Sequence, residues 1–523
     1  MESSFQMEPR YTDNVPGSSE PGQTAGYGIE PAEELMKKVN RRSFVLGTAA
    51  AAAHAGVAAS LTRGVNPGSD AQDAPRTERP KPNIVIYLSD QFRWDFVGAN
   101  GLNSSTRTPN LDALAADGTN FTHAVTNQPV CGPSRSVMLT GRYATNTGVW
   151  HNGLGLNGEL PTLATELRKA GYTANYIGKW HLAPGSEAQG GGIGRVSRDE
   201  RGGFLDFWEG SNVLELTSHP YEGTLYDSDG NEINFKDRYR VDFLTDRAER
   251  FLRRKQEKPF LLMISQLEPH QQNDMNRMVG PKGSAERFIN ALTPPDLRVF
   301  PGDWRQQLPD YYGACESIDA SVGRVRQILE EEKLAENTIF VFMSDHGCHF
   351  MTRNQEYKRS AHNSSLRIPL LIHGPGFEGA RQIQEVAGVV HLAPTLLDAA
   401  GVAAPESMQG RSLMPLLRDA GARESWPNKE LIQISESMTG RAIHTREWTY
   451  CVADLSGGTS APASASYTEY QMYDQRADPQ ELVNLAGRKE YRKEAEELRE
   501  ELKKMIVASG EKEPEIVPAK LYP

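Results

Sequence analysis

From Lys81 onward the chain alternates continuous apolar runs with amphipathic stretches. Asn83-Ile84-Val85-Ile86-Tyr87-Leu88 is an apolar run of strand length, the pattern of a strand covered on both faces, and it ends in Ser89-Asp90-Gln91. Thr108-Pro109 reads as the N-cap and first turn of a helix whose Leu111, Leu114 and Ala115 share a face and which Gly118 stops. Residues 160–170 repeat the device, closed by Gly171, and 172–177 form the next strand. Ile318, Val322, Val325 and Leu329 stand at helical spacing and predict a helix over 312–334, followed by a buried strand over 338–343. Residues 259–267 and 367–372 add two more apolar runs. Strands alternating with helices predict an α/β fold built on a large, mostly parallel sheet sandwiched by helices. In such sheets the site forms from polar residues just beyond the carboxyl ends of the strands.

The segment before Lys81 has a different pattern. Residues 1–35 are rich in Gly, Pro, Ser and Glu without apolar periodicity, which predicts a disordered or untranslated leader. Met36 then opens a basic stretch with Lys37, Lys38, Arg41 and Arg42, followed by a mildly apolar run dominated by Ala and Gly. With Arg41-Arg42-Ser43-Phe44-Val45-Leu46 at its centre, the stretch 36–72 resembles a bacterial twin-arginine signal and cleavage region, with Met36 as the true start. The competing reading is an Ala-rich helix or membrane anchor, and His54 with the low Leu and Ile content argues against a stable span. The expected destination is the periplasm or the exterior, reached through the twin-arginine export machinery. Residues 73–82 are a polar, Pro-rich linker.

Charge and cysteine content remove several alternatives. The 523 residues carry 57 basic and 68 acidic side chains, a net charge of −11, so there is no basic stripe to neutralise a nucleic-acid backbone. Nucleic acid is excluded as an expected partner. Cys131, Cys315, Cys348 and Cys451 have no paired metal-type spacing and are too few for a disulfide scaffold. Cys315 and Cys451 read as buried thiols, whereas Cys348 follows Asp345-His346 closely.

Cys131 stands in Cys131-Gly132-Pro133-Ser134-Arg135-Ser136-Val137-Met138-Leu139-Thr140-Gly141-Arg142. This run resembles the sulfatase signature, Cys-x-Pro-Ser-Arg followed by three residues and Leu-Thr-Gly-Arg, at every defining position. The resemblance extends over nearly all of 82–523. It implies an alkaline-phosphatase-like catalytic domain over 83–425 and, over 426–523, a smaller antiparallel sheet with a helix. It also implies that Cys131 is oxidised to formylglycine by a formylglycine-generating or anaerobic sulfatase-maturing enzyme. A thiolate attacking sulfur would leave a stable adduct, whereas one oxygen of a geminal diol can carry the sulfuryl group and the other can expel it.

Residues 171–181, GYTANYIGKWH, resemble the second sulfatase signature, with Ala174 where the family usually has Ser or Thr. The resemblance places Lys179 and His181 beside Cys131, Lys179 binding charge and His181 taking the diol proton. Arg135, the substrate-binding His270 and the second catalytic lysine, Lys358, complete the implied set. Asp90-Gln91 and Asp345-His346 follow apolar runs and, with Cys131, are the implied metal ligands. Gln91 and His346 depart from the family's usual Asp and Asn. Two carboxylates suit a hard cation, so Ca²⁺ is expected, with Mg²⁺ or Mn²⁺ as alternatives.

The expected activity is hydrolysis of sulfate monoesters, with a sulfated saccharide as substrate. Two alternatives share the sequence features. One is a phosphodiester or phosphonate monoester hydrolase, whose formylglycine-bearing members use similar Asp-Gln and Asp-His pairs. The other is a non-catalytic binder of sulfated glycan in which Cys131 is never converted. Around the mouth of the site, His151-Asn152, Glu268, Gln271-Gln272 and His362-Asn363 are the candidate specificity residues.

Overall fold

The computed structural model describes residues 80–185, 192–457, 459 and 461–522. The expected leader, the twin-arginine segment and the linker up to residue 79 lie outside the described residues.

The apolar runs are strands because both of their faces are covered. In β1 (Asn83–Asp90), Ile84, Ile86 and Leu88 enter one hydrophobic core while Val85 and Tyr87 enter the other, the period of two that a strand imposes. The shorter elements that follow are β2 (Thr119–Phe121), β3 (Ala124–Val125), β4 (Thr173–Lys179), β5 (Phe207–Ser211), β6 (Ser218–His219), β7 (Glu222–Asp227) and β8 (Glu232–Lys236). Next come β9 (Phe260–Pro269), β10 (Thr338–Ser344), β11 (Leu370–His373), β12 (Arg381–Ile383) and β13 (Ala387–Gly388). The described residues build one eleven-stranded sheet in the order β12-β2-β11-β10-β1-β9-β4-β5-β7-β6, with β8 paired to β7, while β3 and β13 pair apart from it. Its centre, β10-β1-β9-β4-β5, is parallel throughout. Antiparallel pairing begins where β11 joins β10 and β7 joins β5. The α/β expectation therefore holds, with mixed edges on a parallel centre.

Three local expectations are corrected. The long helix is Trp304–Glu331, not 312–334, because Pro309 lies in its second turn and removes only one amide bond there instead of breaking it. Thr108 sits at the N-cap of helix Pro109–Asp117, but its hydroxyl accepts from the Gly98 amide at 2.7 Å instead of capping the helix. The run expected as a strand from Arg367 is strand only over β11; Arg367 itself makes a single bridge to Val125. Helix Leu163–Lys169, by contrast, is capped by Thr162, whose hydroxyl accepts from the Thr165 amide at 3.0 Å.

The C-terminal part is a five-stranded sheet of β14 (Lys429–Ile434), β15 (Gly440–Thr445), β16 (Trp448–Ala453), β17 (Ser466–Asp474) and β18 (Glu515–Val517). It is antiparallel except for β18 on β17. Helix Arg492–Ala508 buries Ala495, Leu502 and Ile506 against Leu431, Ile443 and Tyr450 and leaves its charged residues on the outer face. This is the small sheet with a helix that the resemblance implies. Cys315 and Cys451 are buried thiols, and burial pushes Cys451 up to about 12.

Candidate active site

The carboxyl ends of the parallel strands deliver most of the site. Asp90 ends β1, Lys179 ends β4, His270 follows β9, and Asp345-His346 follow β10. Gly178, just before Lys179, has φ +103° and lies so close to β9 that a Cβ would stand 2.0 Å from the Ser265 carbonyl oxygen, so only glycine fits. Cys131 is the first residue of helix Cys131–Thr140, every residue of which is buried. Four residues on, Arg135 shares its face of the helix. The Arg135 guanidinium ties the strand ends together. Its Nε meets Asp345 Oδ2 and its Nη2 meets Asp90 Oδ2, both at 3.1 Å, while Nη1 donates to the Lys179 carbonyl at 2.8 Å and Ser265 Oγ at 2.7 Å.

These bonds consume the Oδ2 atoms of both aspartates and leave the Oδ1 atoms facing a cluster of electron-pair donors. His346 Nδ1 lies 2.9 Å from the Gly347 carbonyl oxygen, so in the neutral ring Nδ1 donates and Nε2 carries the lone pair. That Nε2 faces Asp90 Oδ1 at 3.4 Å, Asp345 Oδ1 at 3.7 Å and Cys131 Sγ at 3.2 Å. The donor atoms of Asp90, Cys131, Asp345 and His346 all fall within 4.8 Å of one another. Lone pairs converging in a buried site suit a cation, and this donor set fits a divalent metal. Gln91, in the left-handed region at φ +68°, stands beside the cluster. Its Oε1 accepts from Lys358 at 3.1 Å and its Nε2 donates to Gln271 Oε1 at 2.9 Å. Gln91 Nε2 also donates to Cys348 Sγ at 3.5 Å, and burial pushes the Cys348 thiol up to about 12.

Positive charge is concentrated around Cys131. Lys358 Nζ is 3.2 Å from Cys131 Sγ and 2.8 Å from His270 Nε2, and His270 Nδ1 donates to the Gln271 carbonyl at 2.6 Å. Lys179 Nζ sits between Asp90 Oδ2 and Glu215 Oε1, at 2.9 Å from each. Burial alone would raise the Cys131 thiol, but Lys358, Lys179 and His346 outweigh it and hold the group well below its ordinary value. Burial likewise opposes charge on Asp90, where Lys179, His270 and Arg135 win and hold the carboxyl low, while burial and the Asp90 charge push Asp345 up. His181, at φ +61°, shares the wall of a cavity of about 1030 Å³ with Cys131, His270 and Lys358, and its buried Nδ1 has no partner. Backbone strain at two residues flanking Cys131 is characteristic of a working site.

The family model for sulfatases matches residues 82–402, and a second, for the C-terminal part of N-sulphoglucosamine sulphohydrolase, matches 355–508. The chain belongs to the sulfatase family. It is 30% identical over 457 residues to the ulvan-active sulfatase of Formosa agariphila, covering 83% of each chain. It is 28% identical to arylsulfatase K of Mus musculus, covering 80% of this chain and 79% of the other. A protein solved in complex with its substrate, D-glucosamine-2-N,6-O-disulfate, has the same fold, with a TM-score of 0.67, 24% identity, and coverage of 83% of this chain and 99% of its own.

This sulfatase is thus a sulfuric ester hydrolase, and its fold gathers Asp90, Gln91, Cys131, Arg135, Lys179, His181, His270, Asp345, His346 and Lys358 into one site. The mouth candidates divide. Asn152 and Gln271 line the cavity. His151 does not, and Glu268 is buried against Arg240 at 2.8 Å. Gln272 turns inward to donate to the Glu215 and Ser218 carbonyls at 2.6 and 3.1 Å. His362 and Asn363 are buried under the C-terminal sheet, where His362 meets the Tyr473 hydroxyl at 3.1 Å. Glu215 joins the site without any signal in the sequence, because it lies on the four-residue helix Leu214–Thr217 outside both signatures.

The C-terminal sheet also reaches the sulfatase site. The turn between β14 and β15 accepts from Gln128 through Ser435 Oγ at 2.7 Å and from the Asn152 amide through Glu436 Oε1 at 2.7 Å. Glu436 also pairs with Arg359 at 2.6 Å, next to Lys358.

Proposed function

We propose that this chain is an exported enzyme hydrolysing sulfate monoesters of carbohydrates, using a formylglycine made from Cys131 and a divalent cation. The observation that carries the reading is Cys131 itself, on the cavity wall 3.2 Å from both Lys358 Nζ and His346 Nε2, in a site that concentrates charge to meet an anion. Formylglycine, once hydrated, supplies one hydroxyl to take the sulfuryl group and a second to expel it. Asp90, Asp345 and His346 would hold the cation, with Gln91 alongside, and the cation would add positive charge near the sulfate oxygens. Ca²⁺ is the expected ion. Lys179 and Lys358 bind the spreading negative charge of sulfuryl transfer. The S–O bond to the sugar breaks as Lys358 or His270 gives its proton to the leaving oxygen, and His181 takes the proton that starts the expulsion of sulfate. Maturation requires a formylglycine-generating or anaerobic sulfatase-maturing enzyme as partner. A wall lined by Asn152, Asn212, Gln271 and Gln306 suits sugar hydroxyls and supports a saccharide leaving group.

The test is turnover of the converted enzyme on a panel of sulfated saccharides beside a phosphodiester and a phosphonate monoester. Sulfated saccharides are expected to dominate kcat/KM; dominant turnover of a phosphorus ester would replace this reading with the phosphorus-ester one.

Export rests on the Arg41-Arg42 pair, read as an address by a receptor. A twin-arginine route carries folded protein, so oxidation of Cys131 can precede export. Arg41→Lys with Arg42→Lys is expected to leave active precursor in the cytoplasm and to empty the periplasm on fractionation. Undiminished activity outside the inner membrane would sink the address.

A further inference from the structure

Glu215 has one oxygen too many for its structural task. Its side chain is 2% exposed and it lies on the wall of the catalytic cavity. Oε1 accepts from Lys179 at 2.9 Å, while Oε2 is buried without any hydrogen-bond partner. A buried carboxylate oxygen left bare is costly unless something fills it. Burial pushes this carboxyl up, but Lys179, His181 and His270 outweigh it and hold it down at about 2, so the group is anionic across the neutral range. On the wall of the same cavity Asp303 repeats the arrangement. Its Oδ2 accepts from Tyr357 and Gln307, and its buried Oδ1 has no partner.

The basic groups on the wall offer no counterweight. Lys358 and His270 stand at the reacting centre, 2.8 Å apart. Arg359 is held by Glu356 at 2.5 Å and Glu436 at 2.6 Å. Among the described residues, the wall beyond the reacting centre therefore has two bare carboxylate oxygens, while its one guanidinium, Arg359, is flanked by two carboxylates that offset its charge although its buried Nε has no partner.

We propose that the cavity takes a monosulfated sugar with free hydroxyls, in which Glu215 accepts from a hydroxyl neighbouring the sulfate ester and Asp303 accepts from a more distant one. A second sulfate or a carboxylate at either place meets a fixed negative charge and leaves the carboxylate unpaired. The proposal rests on the sulfated-carbohydrate reading above and narrows it. It sets this chain apart from a protein whose substrate carries two sulfates.

The experiment compares kcat/KM of the converted enzyme on three sugars sulfated at one shared position, with an aryl sulfate as a fourth substrate. The first sugar is otherwise neutral, the second carries another sulfate on the adjacent carbon, and the third lacks the adjacent hydroxyl. Both changes are expected to lower kcat/KM by at least about tenfold, because a site built around a hydroxyl rejects its absence and a fixed charge rejects a like one. Glu215→Gln is expected to shrink the ratio between the neutral and disulfated sugars at least about fivefold, whatever it does to absolute rates through Lys179. Asp303→Asn leaves the Lys179 contact intact and is expected to shrink the penalty for a second anion at a more distant carbon. Preference of the native enzyme for the disulfated sugar, or ratios unmoved in both variants, would overturn the inference and leave the carbohydrate reading standing. Turnover of the aryl sulfate with none of the sugars would overturn both.

Discussion

Cys131→Ala is expected to lower kcat/KM by at least about 10⁴-fold, which at 1.36 kcal/mol per decade is about 5.5 kcal/mol of transition-state stabilisation. The site around it is built for an atom at that position: Lys358 Nζ and His346 Nε2 both lie 3.2 Å from Sγ, and alanine leaves both facing a void. Cys131→Ser separates two roles. A hydroxyl accepts a sulfuryl group, but a residue with a single hydroxyl has no second oxygen with which to expel it, so at most one turnover is expected, ending in a stable sulfated serine. Both effects are read in a burst assay and in the mass of the peptide containing residue 131. Active native enzyme should show the aldehyde at this peptide. Fully active material bearing only the unmodified thiol would eliminate the two-hydroxyl mechanism.

Loss of either aspartate should remove metal and activity together. Asp90 and Asp345 bring the carboxylate charge of the cluster, and each directs one oxygen toward it while Arg135 holds the other at 3.1 Å. Asp90→Ala and Asp345→Ala are expected to lose stoichiometric metal, read by elemental analysis, and about 10³-fold or more in kcat/KM, the scale of several kcal/mol that a cation supplies. Each also strips a partner from buried Arg135, which costs about 3–5 kcal/mol of stability, so Asp90→Asn and Asp345→Asn serve as isosteric controls. His346→Asn exchanges one neutral ligand for another and is expected to retain metal, with activity within about tenfold of native. If His346→Asn lost all metal while Asp345→Ala kept it, the ligand assignment would be wrong.

The centre of the fold was legible because its strands are buried on both faces. β1 and β10 read directly as apolar runs, and their ends marked Asp90 and Asp345. Cys131 and Lys358 are 227 residues apart and meet at 3.2 Å; what joined them on paper was the family pattern, since no local signal spans such a distance. Proximity along the chain misled at the mouth. Gln271 lines the cavity while Gln272, the next residue, points into the protein, because successive side chains of extended backbone face opposite ways. Glu268 reads as a mouth residue, whereas an acid near the end of a central strand is buried once an arginine such as Arg240 reaches it. Pro309 shows the same limit in a helix, where its place in the second turn, invisible in the sequence, decides whether it breaks anything. Glu215 had nothing to announce it. An acid on a single helical turn becomes informative only when Lys179 is seen beside it.

The turn between β14 and β15 bears on how such a chain can be recombined. Ser435 and Glu436 brace Gln128, Asn152 and Arg359, residues that flank Cys131, the cavity wall and Lys358. The placement of the loops around Cys131 and Lys358 therefore depends on this turn of the small sheet. A chimera that joins the large sheet of this chain to the small sheet of a distant relative can fold in both halves and still misplace the catalytic loops, unless it carries this turn across with its new host.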